Sequence, residues 1–195
     1  FYPPITPSPA RAHTFNPNKR IKIGYLSGDF RRHAMAEFML PLLEHHDRQR
    51  FEILCYSNSE WTDEITRRCE SLADTWRDIS LMNDDQAEAQ IKSDAIDILV
   101  DLSGHTAGNR LSLVARKPAP VQATWMGFAG STGMSAMDYL LTDENLVPQI
   151  YDHYYREQVY RLPLGGACFE LPGDAPEIGP VSSRARGQIT LISAN

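Results

Sequence analysis

The run Ile96-Asp97-Ile98-Leu99-Val100-Asp101-Leu102 constrains this chain more than any other stretch. Its aliphatic residues are interrupted only at Asp97 and Asp101 and do not alternate cleanly with polar ones. A strand with one wet face alternates, whereas a strand covered on both faces does not. The run therefore predicts a strand of a parallel sheet lying between two helical layers. It stops at Asp101-Leu-Ser-Gly-His-Thr-Ala-Gly-Asn109, a loop of small, flexible and hydroxylated residues around His105. In such sheets ligands lie beyond the carboxyl ends of the strands. Asp101 and His105 stand at such an end.

Strand-like and helix-like segments alternate around this run, the pattern of βαβ units. Strands are predicted at 20–26, 51–57, 76–79, 121–126, 137–141 and 159–162. Met35, Phe38, Met39, Leu42 and Leu43 follow the first strand at helical spacing. Pro41 lies within that stripe and predicts a kink or a lost backbone bond near Glu37. Further helices are predicted at 63–72, capped by Thr62, at 83–92, opened by Asn83, at 109–116, and at 148–157 with Pro148 in its first turn. The expected fold class is α/β: a three-layer, Rossmann-like domain with a mostly parallel sheet, spanning residues 20–164. Residues 1–19, with Pro3, Pro4, Pro7, Pro9 and Pro17, read as a linker or arm. Residues 165–195 read as a connector rich in Gly and Pro that ends in a strand-like segment at 189–195. A start at Phe1 and a stop inside that segment predict a piece of a longer protein.

Composition narrows the function classes. At 195 residues and 42% hydrophobic content the chain can bury a core. A net charge of −6, with Lys and Arg scattered, argues against nucleic acid as a partner. No apolar run is long enough for a membrane span, and no signal peptide is visible. Cys55, Cys69 and Cys168 lack metal-ligand spacing and read as reduced thiols, so a cytoplasmic location is expected.

Three loops follow apolar strands and are rich in Gly, Ser or Thr: residues 27–33, 101–109 and 127–133. With parallel strands all three open on one sheet edge and place Asp29, His33, Asp101, His105, Thr106 and Ser131 around one cleft. Glycine lets backbone approach a ligand, and imidazole titrates near neutral pH, which suits a general base. The plainer reading is that the histidines are surface or capping residues and that Asp29 and Asp101 cap turns. His45-His46 reads as the polar end of a helix; Trp61, Trp76 and Trp125 read as packing residues. No G-x-G-x-x-G or Walker loop occurs, so nicotinamide and ATP sites are unsupported. Ala129-Gly-Ser-Thr-Gly133 mimics a nucleophile elbow, with Asp143 and His153 following in the right order. The elbow requires a long helix at once, however, and here the chain soon enters another strand.

Longer motifs bring a family into view. Ile23-Gly-Tyr-Leu-Ser-Gly-Asp-Phe30 with His33, then Asp101-Leu-Ser-Gly-His-Thr-Ala-Gly-Asn-Arg-Leu111, Arg116-Lys-Pro-Ala-Pro-Val-Gln-Ala-Thr-Trp-Met-Gly127, Ser131-Thr-Gly133 and Met137-Asp-Tyr-Leu-Leu-Thr-Asp143 stand in order. Together they resemble the O-linked N-acetylglucosamine transferase family, with its bacterial members and plant SPINDLY branch. The likeness runs from about residue 20 to the end.

This resemblance implies the amino-terminal lobe of a GT-B fold, whose two Rossmann-like lobes enclose a sugar nucleotide. It implies inverting transfer of N-acetylglucosamine from UDP-GlcNAc to Ser or Thr of acceptor proteins, with no cofactor and no metal. It marks His33, Asp101 and His105 as catalytic candidates, and Asp29, Ser103, Thr106, Ser131 and Thr132 as substrate contacts. His33 matches the histidine considered as the family's base. Animal enzymes carry Asn at the position of Ser103 and Tyr at that of His105, so this version resembles bacterial and SPINDLY-like sequences. The alternatives are a SPINDLY-like fucosyltransferase using GDP-fucose and a non-catalytic lobe that docks proteins. A second lobe, which holds most nucleotide contacts in the family, and tetratricopeptide repeats are expected in the full-length protein. The lobe alone is expected to fold without being active.

Overall fold

The computed structural model describes residues 19–171 and, beyond them, residues 173, 175, 177 and 187. The predicted arm and the terminal strand-like segment thus lie almost wholly outside the described residues. Within them the strands are β1 (Ile21–Ser27), β2 (Phe51–Ser57), β3 (Thr75–Asp78), β4 (Ile98–Asp101), β5 (Val121–Trp125), β6 (Tyr139–Thr142) and β7 (Gln158–Arg161). The helices are α1 (Ala34–His45), α2 (Glu64–Leu72), α3 (Asp84–Asp94) and α4 (Leu111–Ala115), with a 3-10 helix at Gln149–Tyr154.

The seven strands form one sheet in the order β3-β2-β1-β4-β5-β6-β7, and every neighbouring pair is parallel. Successive strand residues point to opposite faces, and both faces are apolar. Tyr25, Ile53, Cys55, Val100 and Leu102 pack under Met35, Met39 and Leu43 of α1 and Cys69 of α2. Leu26, Leu54, Tyr56 and Leu99 pack under Ala87 and Ile91 of α3 and Leu111, Leu113 and Val114 of α4. This is the three-layer Rossmann-like arrangement that the unalternating run predicts. The chain runs from β1 to β2 and β3 on one side, then crosses to β4 on the other. The strand order therefore reverses between β1 and β4, and the loops after these strands flank the reversal.

Several local expectations shift. Asp63, not Thr62, caps α2: its carboxylate accepts the Thr66 N–H at 2.9 Å while the Thr66 hydroxyl accepts the Asp63 N–H at 3.1 Å. Asp63, placed three residues before Thr66, closes this reciprocal box where Thr62 stands a residue too early. Asn83 and Gln86 make the same box for α3, as predicted. Helix α1 continues through Pro41, whose ring is buried. Segment 148–157 makes only a 3-10 helix at Gln149–Tyr154, because residues 149–154 bury no side chain and so offer no apolar stripe to hold an α-helix against the sheet. Trp125 is buried and Trp76 packs on Phe30, but Trp61 is 71% exposed and is not a packing residue. Cys55 and Cys69 are buried free thiols; burial pushes Cys69 up to about 11, so it stays protonated and unreactive. Among the described residues no helix is long and apolar enough to cross a membrane.

His46 closes α1 and is half-buried rather than a solvated helix end. Its Nε2 lies 2.9 Å from the Tyr25 hydroxyl. Burial, aided by the nearby Arg48 cation, lowers its pKa to about 4. The unfolded chain binds a proton near pH 6.5 and the folded one does not until about 4. The contribution is therefore complete above pH 6.5 and is lost as the pH falls towards 4. Thermal melts between pH 7 and pH 5 should show a steeper loss of stability for the native sequence than for His46→Gln; parallel curves would remove His46 from the acid response.

Candidate functional site

The loop after β4 is built from the Asp101 carboxyl group outwards. Asp101 is 1% exposed and accepts the N–H groups of Ser103 at 3.3 Å and Gly104 at 2.8 Å, and the Thr124 hydroxyl of β5 at 3.2 Å. Burial pushes its pKa up; these donors and the nearby His105 pull the other way. Gly104 is left-handed, with φ +53°, and a side chain there would meet Phe128 at 2.5 Å. Downstream, the Ser103 carbonyl accepts both the N–H and the hydroxyl of Thr106. Arg110 then staples the loop to its neighbours, donating to Asp84, to the Asn58 amide oxygen and to the Ile79 and Met82 carbonyls. Asn58 in turn donates to the Gly108 carbonyl at 2.9 Å.

An open cavity of about 390 Å³ lies at the carboxyl edge, with residues of all three predicted loops in its lining. Asp29 and His33 come from the loop after β1, Thr106 and Ala107 from the loop after β4, and Met126 and Gly127 from the loop after β5. Phe38 of α1 adds an aromatic wall. The site thus sits at the reversal of strand order, where α/β sheets bind ligands. Gly127 is required by close approach: a side chain there would fall 1.8 Å from the Leu102 carbonyl oxygen. Met126, before it, has φ +60°, and the Gly127 N–H closes a tight turn onto the Trp125 carbonyl at 2.7 Å. Such a backbone costs about 1–3 kcal/mol for a residue with a side chain, and here it places Met126 in the cavity lining.

Asp29, Arg31 and His33 of the cavity form one chain of contacts. Asp29 is 9% exposed; its Oδ1 accepts Arg31 Nη2 at 3.1 Å, and its Oδ2 lies 3.9 Å from His33 Nδ1. That same Nδ1 accepts the Met35 N–H at 3.2 Å, so the His33 side chain caps α1. The capping alternative for His33 is therefore present in the fold, yet the ring is also 43% exposed beside the cavity.

The structure divides the remaining candidates. Ser103 is 2% exposed and Asp101 lies behind the loop, so neither lines the cavity. His105 turns to the third loop instead: its Nε2 is 3.1 Å from the Thr132 carbonyl and its ring meets Phe128 edge-on. A carbonyl only accepts, so Nε2 carries the proton. Ser131 and Thr132 are taken by Glu157, a residue that the sequence reading did not single out. Its buried carboxylate accepts the Ser131 hydroxyl at 2.7 Å, the Thr132 N–H at 2.7 Å and the Thr132 hydroxyl. This also disposes of the elbow motif, since Ser131 bonds Glu157 while Asp143 accepts backbone N–H groups of Asn145, Leu146 and Gly166. Among the described residues the one group of three possible metal ligands is Glu44, His45 and Glu170, all exposed and none in the cavity lining.

Glu157 was missed because it follows the 3-10 segment in an unpatterned stretch and reaches the loop across 25 residues of sequence. Its only signal is an acidic residue directly before a strand. Glu157→Ala strands three donors and should cost about 1.5–3 kcal/mol, with faster amide exchange over 127–133; Glu157→Gln should cost less. An unchanged melting temperature in Glu157→Ala would show that the bonds carry no net stability.

The profile of glycosyl transferase family 41 matches residues 7–165. The probable UDP-N-acetylglucosamine–peptide N-acetylglucosaminyltransferase SPINDLY of Petunia hybrida is 32% identical over 92% of this chain and 20% of that protein. Its SPINDLY namesake from Arabidopsis thaliana is 36% identical over the same shares, and the SEC protein of that plant is 39% identical over 74% of this chain and 15% of its own length. A point mutant of the Thermobaculum terrenum O-GlcNAc transferase matches with a TM-score of 0.81 and 41% identity, over 91% of this chain and 33% of that one. The chain spans about a fifth of the length of the SPINDLY relatives. With its fold, its motifs and the extent of these matches, the chain belongs to glycosyl transferase family 41.

Proposed function

We propose that this chain is the amino-terminal catalytic lobe of an inverting protein O-glycosyltransferase that moves N-acetylglucosamine from UDP-GlcNAc to Ser or Thr hydroxyls. The observation that carries this reading is the placement of His33 and Asp29 together in an open cavity at the strand-order reversal of a family 41 fold. Inverting transfer needs three things: an acceptor hydroxyl on the face opposite the leaving diphosphate, removal of its proton, and stabilisation of the departing charge. His33 supplies an imidazole for the second, and Thr106 lies across the cavity to help seat the acceptor or sugar. In this reading Asp101, Ser103 and His105 shape the loop that presents Thr106, and Thr132, held together with Ser131 by Glu157, braces it through His105.

The third requirement is not met from the cavity's Arg31, which is already paired with Asp29. It falls to a second lobe that closes over this edge. The relatives' greater length leaves room for that lobe and for tetratricopeptide repeats that recruit acceptor proteins. The 195-residue chain by itself is expected to show no sugar transfer; detectable transfer would overturn the two-lobe division of labour.

Two measurements on the longer protein test the reading. Radiolabelled UDP-GlcNAc and GDP-fucose offered side by side should give label in acceptor protein from the first only. Label from GDP-fucose alone would make this a fucosyltransferase, and label from neither would favour a docking lobe. His33→Ala should lower turnover about 100-fold or more, the scale of a lost general base, while the protein stays folded. Unchanged turnover would remove His33 from the chemistry.

A further inference from the structure

The two ring nitrogens of His33 face different partners, and which partner holds Nδ1 decides what Nε2 can do. A backbone N–H only donates. With Met35 N–H directed at Nδ1 at 3.2 Å, that nitrogen keeps its lone pair and the neutral ring carries its proton on Nε2. In this tautomer Nε2 is a donor: it can hold an oxygen but cannot take a proton from one. A base at Nε2 requires the opposite tautomer, with the proton on Nδ1 and an acceptor facing it.

That acceptor is in place. Asp29 Oδ2 lies 3.9 Å from Nδ1, about 1 Å beyond hydrogen-bond reach. The carboxylate is 9% exposed and held by its backbone, whose N–H donates to the Ser27 hydroxyl at 2.9 Å. Its other oxygen is occupied by Arg31 at 3.1 Å. The neighbouring Arg32 is engaged elsewhere: its side chain pairs with Glu64, and its N–H donates to Asp63. The contest for Nδ1 is therefore between the first turn of α1 and Asp29, with Arg31 drawing on the same carboxylate.

We propose that Asp29 is the positioning residue that converts His33 from a donor into a base, and that Arg31 restrains it. When Asp29 leaves Arg31 and accepts from Nδ1–H, Nε2 is freed. The Met35 N–H then turns to water. The tautomer change is neutral overall, one proton leaving Nε2 for water and one entering Nδ1 from water. During transfer the acceptor hydroxyl gives its proton to Nε2 as its oxygen bonds the anomeric carbon. The bond from that carbon to the diphosphate oxygen breaks, and the nucleoside diphosphate leaves with the electron pair. The imidazolium formed keeps Asp29 against its Nδ1–H.

The transfer step rests on the function proposed above; the tautomer does not. The 195-residue chain, labelled with ¹⁵N-histidine, reports the proton position through long-range ¹H–¹⁵N correlation at a pH where the ring is neutral, with His33→Gln assigning the signal. The native chain should show the Nε2–H form. Arg31→Ala should raise the ratio of Nδ1–H to Nε2–H at least fivefold, and adding Asp29→Ala should abolish that rise. Asp29→Asn replaces Asp29→Ala if the latter fails to fold, and should at least halve the rise. A native chain already in the Nδ1–H form, an Arg31→Ala spectrum like the native one, or a rise that survives loss of Asp29 would each overturn the proposal. In the longer protein Asp29→Asn should lower kcat tenfold or more at unchanged KM, with partial recovery in Asp29→Glu. If the spectra behave as stated and kcat does not move, the tautomer control stands and His33 as base falls.

Discussion

The Asp101 carboxyl group, nearly sealed from water at the end of β4, is surrounded by donors from its own loop and from β5. Burying a charge costs several kcal/mol unless hydrogen bonds replace the lost water, and two of the donors are backbone N–H groups of Ser103 and Gly104. The loop therefore cannot relax into another shape without stranding the carboxyl group. Gly104 makes the turn possible, because its backbone is left-handed and its Cα lies against Phe128. From this turn follow the position of Thr106 at the cavity and the crossing of Arg110 to the α3 side. An acidic residue placed by sequence at a ligand edge serves as the anchor of that edge.

The three loops divide the work around this anchor. The loop after β1 carries the titratable pair, Asp29 and His33, into the cavity. The loop after β4 supplies Thr106 and small backbone. The loop after β5 supplies the strained Met126 turn, and it is held by a chain of bonds from Glu157 through Thr132 to His105. Asp101, His105, Ser131 and Thr132, residue types that usually announce chemistry, make bonds within and between these loops. For the transfer proposed above, rigid loops would hold the reacting atoms of two bound partners in register.

The fold was legible because its signals are local or periodic. The unalternating run at 96–102 requires two helical covers, and Met35, Met39 and Leu43 mark the inward stripe of α1 at a spacing that only a helix satisfies. Boundaries were less legible. Thr62 and Asp63 are both good caps, and only the side chain that reaches Thr66 does the capping. The 3-10 helix at 149–154 shows the same limit, since Pro148 announces a helix start but nothing in the segment tells how much it will bury.

Sequence by itself determined the class of fold, the three glycine- and hydroxyl-rich loops, their common edge, and the family they resemble. These follow from hydrophobic period, strand direction and motif order, all of which survive without knowing any contact. Tertiary structure alone decided which residues face the cavity and which face one another. Whether His105 turns to ligand or to Thr132, whether Ser131 is free or bound by Glu157, and which partner holds His33 Nδ1 are contests between groups distant in sequence or equal in local chance. Each is settled by angstroms of placement, which periodicity does not encode.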